Sequence, residues 1–176
     1  FCVKITDQVA KIVMYTHENI KYQNISSFET LSIDRFEDSY EGTLISIFYT
    51  DKWHFTTSRC TSIDSSYFYN SKITFGNMFD DCLQKLGMGF DRDAFTQLLN
   101  VNHCYSFVLV HNNNKYIVDY TNLFGEEYAK LVLVIERDVE TLELVDSILP
   151  DTISDLIVPS RFDSLDDAKN HMFEHN

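Results

Sequence analysis

One histidine pair, a His-Cys neighbour pair and four cysteines in all are the residues whose types and spacing first suggest chemistry. His171 and His175 stand four positions apart in a stretch of helical character, which would set both imidazoles on one helix face, at a spacing able to bind a metal ion. No third ligand is evident in the sequence, so the pair is read as part of a helix and no metal site is assigned. Cys104 follows His103 directly, the types of a nucleophile and a base. Adjacent residues of a strand point to opposite faces, however, and the pair is read as the entry to a strand. Cys2, Cys60, Cys82 and Cys104 are scattered without a C-x-x-C spacing, so neither a zinc site nor a redox motif is expected. They are read as reduced and mostly buried, although their number also allows disulfides. Asn24-Ile25-Ser26 has the form of a glycosylation sequon, which matters only on a secretory route.

Such residues need a scaffold, and the composition describes one. A chain of 176 residues with 44% hydrophobic content has the length of one domain and enough apolar side chains for a core. Fourteen Phe and ten Tyr against five Gly and two Pro favour sheet-forming and core-filling residues over long irregular loops. A small α+β domain follows. The formal net charge of −13 repels a polyanion at long range, which argues against a general nucleic-acid binder. It leaves room for a local basic groove, because contacts within a Debye length of about 8–10 Å answer to nearby charges. No apolar run approaches the roughly 18–20 residues that span a bilayer, and Phe1-Cys2-Val3-Lys4 does not open a signal peptide. A soluble intracellular protein without a membrane partner is expected. The missing initiating Met suggests a fragment or a processed product.

Periodicity locates the elements. Val9 to Thr16 reads as a buried strand, and His17 to Ser27 as a polar loop. Thr43 to Tyr49 and Trp53 to Ser58 flank Thr50-Asp51-Lys52 in the pattern of an antiparallel hairpin. From Thr74 to Leu86, Phe75, Met78, Phe79, Cys82, Leu83 and Leu86 recur at helical spacing, and Gly87 is placed to stop the helix. Asp91 would cap a shorter helix carrying Ala94, Phe95, Leu98 and Leu99, and the two helices should cover one face of a sheet. Cys104 to Val110 and Tyr116 to Asp119 read as a second hairpin around His111-Asn112-Asn113-Asn114. Lys130 to Glu136 and Leu142 to Val145 read as a third strand pair, and Ser164 opens a last helix with an acidic first turn, Asp166-Asp167.

Within this order, Asp38-Ser39-Tyr40-Glu41-Gly42-Thr43-Leu44-Ile45 resembles the first motif of the RNA-ligase-like covalent nucleotidyltransferases, in which Lys-x-Asp-Gly precedes a strand. Trp53-His54-Phe55-Thr56-Thr57-Ser58-Arg59 is similar to the family's next strand, which ends in Ser or Thr and a basic residue near the ribose and phosphate. Tyr105 to His111, with Ile117-Val118, resembles its central hairpin, and Lys130 to Arg137 the strand that follows. The likeness runs from about Ala10 to Glu143. The richness in Asn, Asp, Ile, Tyr and Phe also resembles proteins of AT-rich genomes, large DNA viruses among them.

The resemblance implies one antiparallel-sheet, ATP-grasp-like nucleotidyltransferase domain over residues 1–176, with two central helices packed on the sheet and the carboxy-terminal motifs missing. It implies ATP and Mg as cofactors of a working site, RNA as a partner, and Glu41, Gly42, Arg59 and Lys130 as nucleotide-binding residues. It also implies a loss. Ser39 stands where the family carries its lysine nucleophile, and a serine hydroxyl cannot replace that amine without a neighbouring base. Lys52, the nearest downstream lysine, sits at an expected hairpin tip. Val108 stands where the family's carboxylate meets the nucleotide, and an aliphatic side chain offers no hydrogen bond. A degenerate domain used for binding or assembly is therefore expected, in the cytoplasm or with a virus particle. Two alternatives stand beside it: a fragment or nucleophile-substituted form of an active ligase or capping-type enzyme, and an acidic interaction protein that binds no nucleotide.

Overall fold

A computed structural model describes residues 1–6, 9–17, 36–68, 71–87 and 89–174, with 172–174 by backbone alone. The contacts divide the chain into two compact units, Phe1–Thr16 with Tyr40–Val158, and His17–Ser39 with Pro159–Asn176. The fold is α+β with antiparallel sheets.

The larger unit opens with a hairpin of β1 (Cys2–Thr6) and β2 (Val9–Met14). The strand expected at Val9 is present but not buried along its length. Val9, Ala10 and Lys11 are exposed, and only Val13 and Met14 are covered, because a two-stranded ribbon has a sheet neighbour at one end alone.

The main sheet has the order β5-β4-β6-β7, formed by β4 (Thr43–Tyr49), β5 (Trp53–Thr57), β6 (His103–His111) and β7 (Ala129–Asp138). The hairpin expected around Thr50-Asp51-Lys52 is present, with Tyr49 opposite Trp53. The second expected hairpin is not. Residues 116–119 form no strand, and β6 pairs instead with β4 on one side and β7 on the other. The third strand pair is reduced to a bridge between Arg137 and Leu144, supported by the Val145 N–H on the Glu136 carbonyl.

One face of this sheet carries two helices. α1 (Phe75–Gln84) starts at Thr74, whose hydroxyl accepts from the Asn77 N–H while the Asn77 side chain returns the bond. Gly87, at φ +51°, follows its end in the left-handed region where the expected stop was placed. Phe75, Met78, Phe79, Cys82, Leu83 and Leu86 are all buried against Ile45, Ile47, Phe107, Leu109, Leu131 and Leu133 of the strands. α2 (Arg92–Thr96) is capped by Asp91, which accepts from the Ala94 N–H at 2.7 Å. Because α2 ends at Thr96, Phe95 and Leu99 reach the core whereas Ala94 and Leu98 stay exposed. Phe55, Phe79, Phe95 and Phe107 join strands and helices through edge-to-face contacts at 5.5, 6.0 and 5.9 Å.

The two outer edges of the sheet are managed differently. Ile157 bridges to β7 in parallel, with its N–H on the Leu131 carbonyl and its carbonyl taking the Leu133 N–H. No strand among the described residues lies along the outer edge of β5. Two single-turn helices, α3 (Thr121–Phe124) and α4 (Leu149–Thr152), were not foreseen.

The smaller unit holds β3 (Phe36–Glu37) paired with β8 (Arg161–Phe162), and α5 (Leu165–Glu174). Ser164 caps α5 as expected, accepting from the Asp167 N–H at 3.1 Å. His171 lies 3.4 Å from the Asp38 carboxylate, whereas His175 is outside the described residues. So are residues 18–27 of the expected loop, the Asn24 triplet included.

Candidate functional site

The face of the sheet opposite α1 carries the residues singled out by the resemblance. Register sets the start of β4, the end of β6 and the start of β7 level with one another, so Gly42, Val108, Val110 and Lys130 share one end of the sheet. Gly42 lies so close to β6 that a Cβ there would fall 2.4 Å from a Val108 methyl carbon and 2.6 Å from the Leu109 carbonyl oxygen. The motif glycine is therefore fixed by strand packing.

Glu41 is equally committed. Its carboxylate accepts from the backbone N–H groups of Ile117 and Val118, both at 2.8 Å, and its own N–H donates to the Tyr120 hydroxyl at 2.6 Å. It holds the loop that runs from β6 to α3. The loop cannot form the expected strand because Tyr116 folds back, its hydroxyl donating to the Leu109 carbonyl and accepting from the His111 N–H.

Val108 is 8% exposed, and with Val110 and Val132 it forms the floor of an aromatic cluster. Tyr120 sits at the centre. It contacts Tyr40 at 6.4 Å, Tyr116 at 6.0 Å, Phe124 at 5.8 Å and Tyr128 at 6.1 Å between ring centroids. Burial raises the Tyr120 phenol pKa against the opposing bond from Glu41, so the ring stays neutral. The Lys130 ammonium lies over the Phe124 ring at 6.0 Å. Four of the expected site residues thus share one end of this face, where the chain's own rings cover Val108, Gly42 is exposed, and Glu41 and Lys130 are half-buried.

Two expected residues remain, Arg59 and Ser39. Arg59 is exposed in the turn after β5, where its N–H and that of Cys60 donate to the Thr57 hydroxyl. Ser39 is exposed at the border of the smaller unit, and the division between units falls between Ser39 and Tyr40. Lys52 is exposed at the hairpin tip, as expected. Of the cysteines, all free, Cys82 and Cys104 are buried, Cys2 is half-buried and Cys60 is exposed, fewer buried than expected. Burial raises the thiol pKa of both Cys82 and Cys104, so neither is a thiolate nucleophile. His103 and Cys104 do point to opposite faces: Cys104 packs with Val13, Met14 and Phe48, and His103 bonds Glu136 at 2.6 Å.

Sequence reasoning missed a groove on the helical side, beside the edge of β5. It encloses about 540 Å³ between Tyr49, Trp53 and Phe55 on the strand side and Asp64, Arg92, Asp93 and Thr96 on the other. Arg92 bonds Asp64 there at 2.7 and 3.1 Å and Asp80 at 2.6 and 3.1 Å, and stacks on Phe55 at 5.4 Å. The available signal was Trp53, the single tryptophan, half-buried on an edge strand.

No helix among the described residues is long and apolar enough to cross a membrane. No family profile matches the chain. Over 90 residues, 51% of its length, it is 30% identical to the immediate-early protein ICP-46 homolog of Invertebrate iridescent virus 3. It spans 20% of that relative's length.

Proposed function

We propose that the chain is an RNA-ligase-like nucleotidyltransferase domain that no longer transfers nucleotides and serves in binding or assembly. The observation that carries the loss is the covering of Val108 by Tyr120 and its neighbours, on the surface where the resemblance sets a nucleotide. Glu41 and Lys130, two of the polar groups that would meet it, are spent on a loop clamp and a ring contact. The antiparallel sheet with α1 and α2 packed on one face supports the ancestry, as does the order of motif-like segments along it. Similarity to a protein of an iridescent virus supports a viral setting, in the cytoplasm of an infected cell or with the particle.

A ligand that binds only the folded state raises its melting temperature once present well above its dissociation constant, by about 2.7 kcal/mol of stability at a hundredfold excess. Millimolar Mg-ATP, Mg-GTP or a short RNA is therefore expected to leave the melting temperature unchanged. A clear rise with either nucleotide would show that the aromatic cluster opens to admit it, and would favour the enzyme reading over the degenerate one.

A further inference from the structure

The groove beside β5 combines three features that point to one class of occupant. The first is a strand edge with no partner strand among the described residues. The Thr57 N–H bonds to the Cys60 carbonyl and so points away from β4. Outward and inward groups alternate along an antiparallel strand, which leaves the N–H and C=O of Trp53 and Phe55 facing outward as well. The same two residues send their rings toward the helical core and line the groove, so backbone donors and an aromatic wall lie side by side. The second is the cavity, about 540 Å³ against that edge, with Tyr49 set edge-on to Trp53 at 5.4 Å.

The third is charge. Arg92 is shared by two aspartates, which take four of its five N–H donors, so this triad carries one net negative charge. Asp93 lines the groove with no bond to its carboxylate among the described residues, and the molecule as a whole is at −13. Lys52, the opposing charge, also lines the groove, from the exposed hairpin tip, and offsets one of these carboxylates.

We propose that this groove docks a basic, extended polypeptide segment, which adds a strand to the outer edge of β5 and sets an arginine or lysine side chain beside Tyr49, Trp53 and Asp93. Backbone bonds would give affinity, as in strand addition generally, and the cation over the rings facing a carboxylate would give selectivity. The inference is independent of the nucleotidyltransferase reading, since it concerns the other face of the sheet.

Trp53, as the single tryptophan, reports on its own groove. The test is a fluorescence titration of the full chain with the blocked peptide Ac-Arg-Val-Arg-Val-Arg-Val-NH2, its glutamate counterpart, and two forms N-methylated on alternate amides. The arginine peptide is expected to shift Trp53 emission saturably and the glutamate peptide to leave it unchanged. Asp93→Asn is expected to weaken binding about tenfold with an unchanged urea midpoint, as for loss of one charge-assisted contact. One methylation pattern should abolish binding and the other should spare it. No response to the arginine peptide, an equal response to the glutamate peptide, an unchanged affinity in Asp93→Asn, or tolerance of both methylation patterns would each overturn the proposal.

Discussion

Glu41 shows how a residue with the right type for one task can be held to another. Its carboxylate is the only acceptor of the Ile117 and Val118 N–H groups among the described residues, in a loop where Ile117 is 96% exposed. A role in holding nucleotide would leave the loop indifferent to its removal. A clamp role predicts that Glu41→Ala speeds hydrogen exchange of those two amides by roughly tenfold, the value of about 1–2 kcal/mol of charge-assisted bonding, while α1 amides keep their protection. Unchanged exchange at Ile117 and Val118 would show that the loop holds itself.

His111 is a second such residue, and it makes a prediction about pH. Its ring is 3% exposed at the end of β6, with Nε2 donating to Asp81 at 2.9 Å and Nδ1 accepting from the Asn113 N–H at 3.0 Å. That pattern requires the neutral ring. Burial lowers its pKa, and the nearby Asp81 offsets only part of this. A base whose folded pKa lies below its unfolded value contributes stability that is fully present above about pH 6.5 and lost as pH falls through the folded value. Asp81 acts in a separate window: burial raises its pKa, but Lys85 and His111 outweigh this, and the net lowering matters only below the ordinary carboxylate range. Urea midpoints should therefore fall between pH 7 and pH 5 in the native chain, and should fall less in His111→Gln. Parallel pH profiles for the two would remove His111 from the account.

At the scale of elements, the parts legible in the sequence are those whose signals are local. The β4–β5 hairpin has its two strands and its turn within a short window, and α1 has a capping box, a helical stripe and a glycine stop. The partner of β6 was misplaced because Asn112-Asn113-Asn114 has turn chemistry and Ile117-Val118 has strand character. The true partner, β7, begins only at Ala129, and pairing across such a gap leaves no local mark. The pairing that forms buries Ser106 completely, with no bond to its hydroxyl among the described residues. A buried donor without a partner costs about 1–3 kcal/mol. Ser106→Ala is thus expected to leave stability unchanged or raise it by up to about 1 kcal/mol, read from the urea midpoint. A loss of about 1 kcal/mol or more would mean that the hydroxyl has a bonding role.

At the scale of the whole molecule, fold class was legible and the state of the site only partly so. Aromatic richness gave no sign of where the rings gather. The assembly of Tyr40, Tyr116, Tyr120, Phe124 and Tyr128 over Val108 depends on the folded course of the chain from β6 through α3 to β7. That gathering makes the exchange at position 39 one of several changes, alongside Val108 and the commitment of Glu41. The most direct test of this account is incubation of the native chain and a Ser39→Lys variant with α-phosphate-labelled ATP and magnesium, followed by denaturation and measurement of label on the protein. The account predicts none on either chain, with both folded by circular dichroism. Label on Ser39→Lys would show that one residue separates this domain from catalysis, and label on a lysine of the native chain would contradict the loss of chemistry altogether.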